Sequence, residues 1–233
     1  ARVTRDAEGP LLRAAVDARK DQSYMLARLA PELLERLWFP LGELTKPAVR
    51  ELARNAGLSV ADKRESQDLC FLAGIGGRAF LRRHGGRRLT RREGEIVTRD
   101  GRVVGRHAGQ HEFTVGQRRG LGVAGDEPLY VLARDPASNR VVVGAREQLA
   151  TRRVILDGAR LHRPDARVSA VKLRSHSSPL PCRVVRTGDG VALQLSEPAH
   201  AAAPGQLACL LDGDRVLGHG TVVAAQLAGD SGR

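Results

Sequence analysis

The pattern of apolar and polar positions is helical before about residue 85. Leucines recur at helical spacing between residues 26 and 37, and Pro31 breaks or restarts the run. A second helix is predicted to begin after Thr45, which can cap it, with Pro47 in its first turn and Gly57 at its end. Its apolar stripe consists of Val49, Leu52, Ala53 and Ala56. A third, short helix is predicted around residues 78–83.

Strands and tight turns replace the helices after residue 85. Two hairpins are predicted, one turning at Asp100-Gly101 and the next at Asp135-Pro136. More strands follow, with turns at residues 188–190 and 212–214. They are predicted at residues 168–173, 182–185, 191–195, 207–211 and 215–223. Short strands at even spacing with Gly and Asp turns indicate a small antiparallel barrel or sandwich.

The chain is therefore predicted to be an α+β protein in three segments. Residues 1–85 form a helical segment, residues 86–148 a small central β domain and residues 149–233 a β-barrel. The first segment opens with a short strand and carries no nucleotide-binding loop, so we expect it to be a truncated domain. The sequence shows no signal peptide and no apolar run long enough for a transmembrane helix.

Positive charge is in large excess. The chain carries 38 Lys and Arg against 26 Asp and Glu, which gives a formal net charge of +12. This excess suits a polyanionic partner such as nucleic acid, because each neutralised phosphate releases counterions. Nearly all of the basic residues are Arg, so a compositional bias of the genome explains the charge equally well.

The three cysteines are widely spaced, which argues against a disulfide framework or a zinc site and fits a reducing compartment. Cys70 ends a polar loop, and the nearby Lys63 and Arg64 favour the nucleophilic thiolate. The alternative for Cys70 is burial as a small apolar residue. Cys182 and Cys209 lie in apolar or alternating strand runs, and both are predicted to be buried.

Two polar segments are further candidates for binding. Residues 20–24 form a dense polar cluster, which is either a binding site or a helix N-terminus capped by Asp21. Residues 114–122 combine three glycines with Arg118 and Arg119, a composition that suits close backbone approach and forked contacts to phosphate. The alternative is a solvated glycine turn. This segment is no phosphate-binding P-loop, because the Gly-Lys-Ser/Thr element is absent.

Seven short segments of the chain, taken in their order along it, resemble segments of the tRNA 2-thiouridylases. The resemblance covers nearly the whole chain and is carried by residues 20–24, 39–42, 45–47, 66–71, 94–97, 114–122 and 204–206. It implies an N-terminal α/β ATP-pyrophosphatase domain of the PP-loop type, a small central β domain and a C-terminal, tRNA-binding antiparallel β-barrel. Residues 1–85 would then be the C-terminal part of the ATP-pyrophosphatase domain.

The resemblance also implies a reaction. The family adenylates the C2 oxygen of the wobble uridine with ATP and Mg²⁺, and then replaces that oxygen with sulfur from a cysteine persulfide loaded by a sulfur-donor protein. By resemblance, Cys70 carries the persulfide. The tRNA-binding residues expected from the resemblance and from the arginine-containing loop are Lys20, Asp21, Gln22, Arg118, Arg119, Arg174, Ser175 and Gln206. Ser175 stands where the family usually has Tyr, so an aromatic contact is lost there.

The family's Ser-Gly-Gly-x-Asp-Ser loop for ATP, and its other catalytic cysteine, do not occur in this sequence. We therefore expect no ATP or metal site in this chain, and no catalysis by the chain alone. We expect the protein to act on tRNA in the cytoplasm, to be a monomer and not to bind a membrane. The alternative is a non-catalytic RNA-binding β-barrel module, in which Cys70 is inert. A fragment of another ATP-pyrophosphatase is a third reading, but it leaves residues 66–71 and 114–122 unexplained.

Overall fold

The computed structural model describes residues 1–63, 77–84, 92–123, 127–174, 177–188, 190–200 and 202–227. The chain divides into two compact units. The first unit combines residues 1–63 with residues 151–233, and the second comprises residues 64–150. No helix in the described ranges has both the length and the apolar character that a membrane crossing requires. The domain boundaries near residues 85 and 148 stay a prediction.

The N-terminal segment opens with an antiparallel hairpin of strands β1 (Arg2–Asp6) and β2 (Gly9–Arg13). A 3-10 helix at Ser23–Leu26 and helix α1 (Pro31–Leu34) follow. The leucine pattern predicted more helix than this. Ala30, which precedes Pro31, is extended with φ −68° and ψ 147°, as expected for a residue before proline, and α1 is a single turn.

Helix α2 (Lys46–Asn55) is the helix predicted after Thr45. The predicted cap is wrong, because the Thr45 side chain makes no capping hydrogen bond. Asp17 takes that role from a distant loop, since its Oδ2 accepts the Lys46 backbone N–H at 2.9 Å. Gly57 ends the helix as predicted, with a positive φ of 67°. No residue of α2 is buried, and Leu52 in the predicted apolar stripe is 55% exposed.

The second unit contains helix α3 (Gly77–His84), which matches the predicted third helix, and a four-stranded sheet. Both predicted hairpins are confirmed, as β3 (Gly94–Thr98) with β4 (Val103–His107) and as β5 (Tyr130–Asp135) with β6 (Arg140–Gly144). A parallel pairing of β3 with β6, which the sequence did not predict, joins them into one sheet. Its core is formed by Ile96, Phe113, Leu121, Val131, Val141 and Val143.

The C-terminal strands form a closed six-stranded barrel, which confirms the predicted barrel. Its strands are β7 (Ala150–Leu161), β8 (Ala170–Lys172), β9 (Leu180–Thr187), β10 (Gly190–His200), β11 (Leu207–Asp212) and β12 (Arg215–Leu227). The long strand β7 was missed in the sequence. It closes the barrel, because it pairs with β10 on one side and with β12 on the other.

Strand β12 also carries the N-terminal segment. It pairs with β11 along one edge, and along the other edge with β7 and, at Arg215, with Arg13 of β2. A second apolar cluster lies between the sheet and this segment, and includes Leu12, Ala27, Leu34, Cys209 and Val216. Residues 1–63 therefore pack against the barrel and form one compact unit with it. Their predicted α/β ATP-pyrophosphatase architecture is not confirmed, because they show a hairpin and short helices.

One buried arginine links the β1–β2 hairpin to the barrel by hydrogen bonds. The side chain of Arg163, just beyond β7, is 2% exposed. Its guanidinium donates to both carboxylate oxygens of Asp6, at 2.7 and 3.2 Å, and to the backbone oxygens of Gly9 and His162, at 3.1 and 2.7 Å. The positive charge of Arg163 is thus paired with the carboxylate of Asp6, and its N–H donors bond to oxygens at this buried position.

Candidate nucleic-acid interface

The carboxylate of Asp21 is used inside the protein. Its Oδ1 accepts the backbone N–H groups of Ala15 at 2.8 Å and Ser23 at 3.2 Å, and its Oδ2 accepts the Ser23 hydroxyl at 2.7 Å. Ser23 begins a 3-10 helix whose N-cap residue is Gln22, so Asp21 is not at the predicted capping position and instead accepts from the first helical residue. Lys20 and Gln22, on either side of it, are exposed.

Lys172, at the end of β8, connects the barrel to this loop. Its Nζ lies 5.8 Å from the centre of the Tyr24 ring, within the range of a cation–π contact. In the antiparallel pairing of β8 with β11, Lys172 lies opposite Cys209. Residues after β8 therefore continue alongside residues before β11. Arg174, which is exposed, and Gln206 consequently lie at the same end of this strand pair.

Gln206 closes a tight turn that is hydrogen-bonded to β12. Its side-chain Oε1 accepts the Ala203 N–H at 3.0 Å, and its backbone N–H donates to the Ala203 oxygen at 3.2 Å. Gly205 has a positive φ of 87°, which a β-branched or bulky residue would adopt only with strain. Val222 of β12 bonds to both neighbours, because its oxygen accepts from Gly205 at 2.7 Å and its N–H donates to Gln206 at 2.8 Å.

The second unit contains the same turn. The Gln117 Oε1 accepts the Thr114 N–H at 3.0 Å, and Gly116 has a φ of 84°. Val131 accepts from Gly116 at 2.8 Å and donates to the Gln117 oxygen at 2.9 Å. The two turns share only their Gly-Gln pair, so their likeness is not visible as a repeat in the sequence.

The turn at Gln117 also shapes the arginine-containing loop that follows it. The Gln117 Nε2 donates to the Arg119 backbone oxygen at 2.9 Å. Arg118 and Arg119 are exposed, and Arg118 lines a cleft of about 350 Å³ together with Gly122 and Glu127. These arginines belong to the second unit, whereas Lys20, Gln22, Arg174 and Gln206 belong to the first. That the residues of both units face one surface for tRNA stays a prediction.

The three cysteines divide into two groups. Cys182 is 8% exposed and Cys209 is 0% exposed, so the predicted burial of both is confirmed. Burial raises the pKa of each of these thiols to about 12. Cys70, the predicted persulfide carrier, lies outside the described residues, as does Ser175.

Within the described ranges, no group of three or more His, Cys, Asp or Glu side chains could hold a metal ion. The turns at Gly116 and Gly205 are bonded to strands, so neither presents the helix N-terminus that cradles phosphate groups.

The Gln206 turn predicts a loss of stability that is independent of RNA. We expect Gln206→Ala to lower the free energy of unfolding by about 1 kcal/mol, because the buried Ala203 N–H loses its acceptor. Urea unfolding of the free protein measures this. Gln22→Ala is the matched control, and it should change stability by less than about 0.5 kcal/mol, since Gln22 is exposed and its side chain makes no capping bond. Equal effects of both changes would contradict the role of the turn.

Comparison with known proteins gives consecutive matches along the chain. Residues 1–74 match the family described as the tRNA methyl transferase HUP domain. Residues 78–145 match the tRNA methyl transferase PRC-barrel domain, and residues 160–222 match the aminomethyltransferase beta-barrel domain.

Curated relatives match nearly the whole chain. The tRNA-specific 2-thiouridylase MnmA of Synechococcus sp. is 48% identical over 91% of this chain and 60% of its own length. The protein of the same name from Chloroflexus aggregans is 45% identical over 97% of this chain and 64% of its own. The bifunctional protein NifU/MnmA of Rubrobacter xylanophilus is 44% identical over 92% of this chain and 44% of its own. The chain thus spans less than two thirds of the length of each of these relatives. Consecutive domain matches and identity at this level show that the chain belongs to the tRNA-specific 2-thiouridylase family.

Proposed function

We propose that this chain is the tRNA-binding and sulfur-carrying part of a sulfurtransferase that makes 2-thiouridine in tRNA. The proposal is supported by the names of its relatives. The observation that carries it is the contact of Lys172 with Tyr24 at 5.8 Å, because it brings the loop with Lys20 and Gln22 to the end of the β8–β11 pair where Arg174 and Gln206 lie. These side chains come from three separate parts of the sequence, and a surface for RNA is the role that suits their charge and donors.

Within this proposal, the residues of the first unit have different tasks. Lys20 and Arg174 neutralise phosphates, and Gln22 offers hydrogen bonds. Asp21 holds the loop in place, because its oxygens are already engaged and a free carboxylate would repel RNA. The Oε1 of Gln206 is used in its turn, so only the amide N–H₂ remains for RNA.

We further propose that Cys70 carries the sulfur as a persulfide, received from a sulfur-donor protein. Adenylation by ATP would make the C2 oxygen of the wobble uridine part of an AMP leaving group, and the terminal sulfur on Cys70 would bond to C2 as AMP leaves. A thiol of a second cysteine would then attack the Cys70 sulfur, so that the S–S bond to the transferred sulfur breaks, a disulfide with Cys70 forms and 2-thiouridine is released. The residues that hold ATP and Mg²⁺ are not assigned in this chain. We place the enzyme in the cytoplasm, as a monomer, where reduced thiols and tRNA are both present.

Arg174→Ala tests the RNA-binding part of the proposal. We expect weaker binding of an unmodified tRNA transcript and a salt dependence flatter by about one unit of log–log slope, because one phosphate contact is lost. Fluorescence anisotropy across a series of salt concentrations measures both quantities. Arg186→Ala is the control for the loss of one exposed positive charge of the barrel, since Arg186 is also exposed and is paired with Asp165 at 2.9 Å. An unchanged affinity and slope for Arg174→Ala would count against the contact.

A further inference from the structure

Arg28 extends from the N-terminal segment to the middle of strand β12. It follows Ala27, which is 1% exposed and part of the apolar cluster between this segment and the sheet. The chain turns here, with the Leu29 N–H donating to the Leu26 oxygen at 2.9 Å. The backbone on both sides of Arg28 is therefore fixed, while its side chain is exposed.

The contact of Arg28 lies beside Gln206. The Arg28 Nη2 donates to the Thr221 hydroxyl at 2.9 Å. Thr221 is the register partner of Leu207, the residue after Gln206, and Val222 bonds to Gln206 itself. Arg28 thus adds a guanidinium to the same part of β12 that anchors the Gln206 turn.

Arg28 differs in its partner from the ion-paired arginines of the first unit. Arg5 is paired with Glu35 at 2.6 Å, Arg13 with Asp214 at 2.7 Å and Arg163 with Asp6 at 2.7 Å. Among the described residues, Arg28 has no ion pair with a carboxylate, and the partner it has is a neutral hydroxyl. Its positive charge and its other N–H donors are therefore left for an anion.

Neighbouring titratable groups do not neutralise this charge. Asp157 of β7 is the register partner of Thr221 on the other edge of β12, but it forms no ion pair with Arg28 in the described structure. His219, two positions before Thr221, is 8% exposed. Burial, and then the neighbouring His162 and Arg28, lower the pKa of His219, so it is neutral at pH 7. Arg160, opposite His219, adds another positive charge.

We propose that Arg28 is a further tRNA-contact residue, which binds a backbone phosphate next to the RNA contact of Gln206. This inference rests on the proposed function. Arg28 joins two separate parts of the first unit at this point, so RNA bound there touches the N-terminal segment and the barrel together. The hydroxyl of Thr221 accepts from one donor of the guanidinium, and the phosphate occupies the remaining donors.

Substitutions at Arg28 and Thr221 separate an RNA contact from a structural link. Arg28→Gln should weaken binding of an unmodified tRNA transcript about 3- to 10-fold near physiological salt, and reduce the log–log salt slope by about one. Arg28→Lys should restore the slope, because it restores the charge. Thr221→Val removes only the hydroxyl, and it should leave affinity and slope almost unchanged. Arg5→Gln, at an exposed arginine that is paired, is the charge-matched control.

Each other outcome of these binding measurements contradicts either the inference about Arg28 or the proposed function. If Thr221→Val weakens binding as much as Arg28→Gln, Arg28 is a fastener of the N-terminal segment and the inference is wrong. If Arg5→Gln has the same effect as Arg28→Gln, the effect is one of net charge alone, and the inference is again wrong. A loss with Arg174→Ala but not with Arg28→Gln overturns the inference and leaves the proposed function intact. Absence of salt-dependent tRNA binding by the unaltered protein overturns both.

Discussion

At pH 8, iodoacetamide should alkylate Cys182 and Cys209 roughly 1000-fold more slowly than an ordinary exposed thiol. Burial raises the pKa of both from the ordinary value of 9.0 to about 12, and three units reduce the thiolate fraction, which is the reactive form, by about that factor. Restricted access slows the reaction further. We expect Cys70 to be the fast-reacting thiol. Mass spectrometry of digested, time-quenched samples resolves the three cysteines.

The Cys70→Ser variant is the control, and its fast phase should disappear. The same variant separates the two functional hypotheses. If Cys70 carries the persulfide, treatment with a low-molecular-weight persulfide should add one sulfur atom to its peptide in the unaltered protein and none in the variant. A Cys70 that reacts as slowly as Cys182 would favour the non-catalytic RNA-binding module. A faster reaction at Cys182 or Cys209 would show that the assignment of the reactive thiol is wrong.

Replacing Arg163 should produce the largest loss of stability among the charged residues discussed. We expect Arg163→Ala to lower the free energy of unfolding by about 3 kcal/mol, because it removes a buried guanidinium that makes hydrogen bonds to Asp6, Gly9 and His162. The backbone oxygens of Gly9 and His162 lose a donor at the same time. Urea unfolding at pH 7 measures the change. Arg186→Ala should cost less than about 1 kcal/mol, because its pair with Asp165 is exposed.

The same substitution should alter the dependence of stability on pH. The hydrogen bond from Arg163 is the largest cause that lowers the pKa of Asp6 in the folded protein. A carboxyl with a lowered pKa stabilises the fold above its unfolded pKa of about 3.9, and that contribution is lost as the pH falls through the lowered value. As the pH is lowered from 7 to 3, the free energy of unfolding should therefore decrease less steeply for Arg163→Ala than for the unaltered protein. Parallel curves would contradict the assigned pair.

The sequence predicted the parts of the fold that rest on local pattern. Both hairpins of the second unit follow from turn residues between apolar runs, and the end of α2 follows from Gly57. Long-range pairings were missed. The parallel contact of β3 with β6 and the closure of the barrel by β7 depend on strands that are distant in the sequence, and no local pattern encodes them.

The candidate site was predictable in part, for the same reason. Burial of Cys182 and Cys209 followed from their apolar strands. The internal use of Asp21 could have been suspected from its position before a helix, which was the alternative weighed for it. Arg28 was missed, because its partner Thr221 is far along the chain and no motif links them. The cap of α2 by Asp17 was missed because the sequence offered Thr45 at the expected position.

The position of β12 has a consequence for biosynthesis. The hairpin at the N-terminus depends on the turn before β12, because Arg13 is bonded to Asp214 across a separation of 201 residues. A ribosome that adds about 5–20 residues per second needs roughly 10–40 s to make that stretch. During this interval Leu11 and Leu12, which belong to two different apolar clusters of the folded protein, have no barrel to pack on. The earliest-made part of this chain is thus among the last to reach its native packing, and it is the part that we expect chaperones to protect.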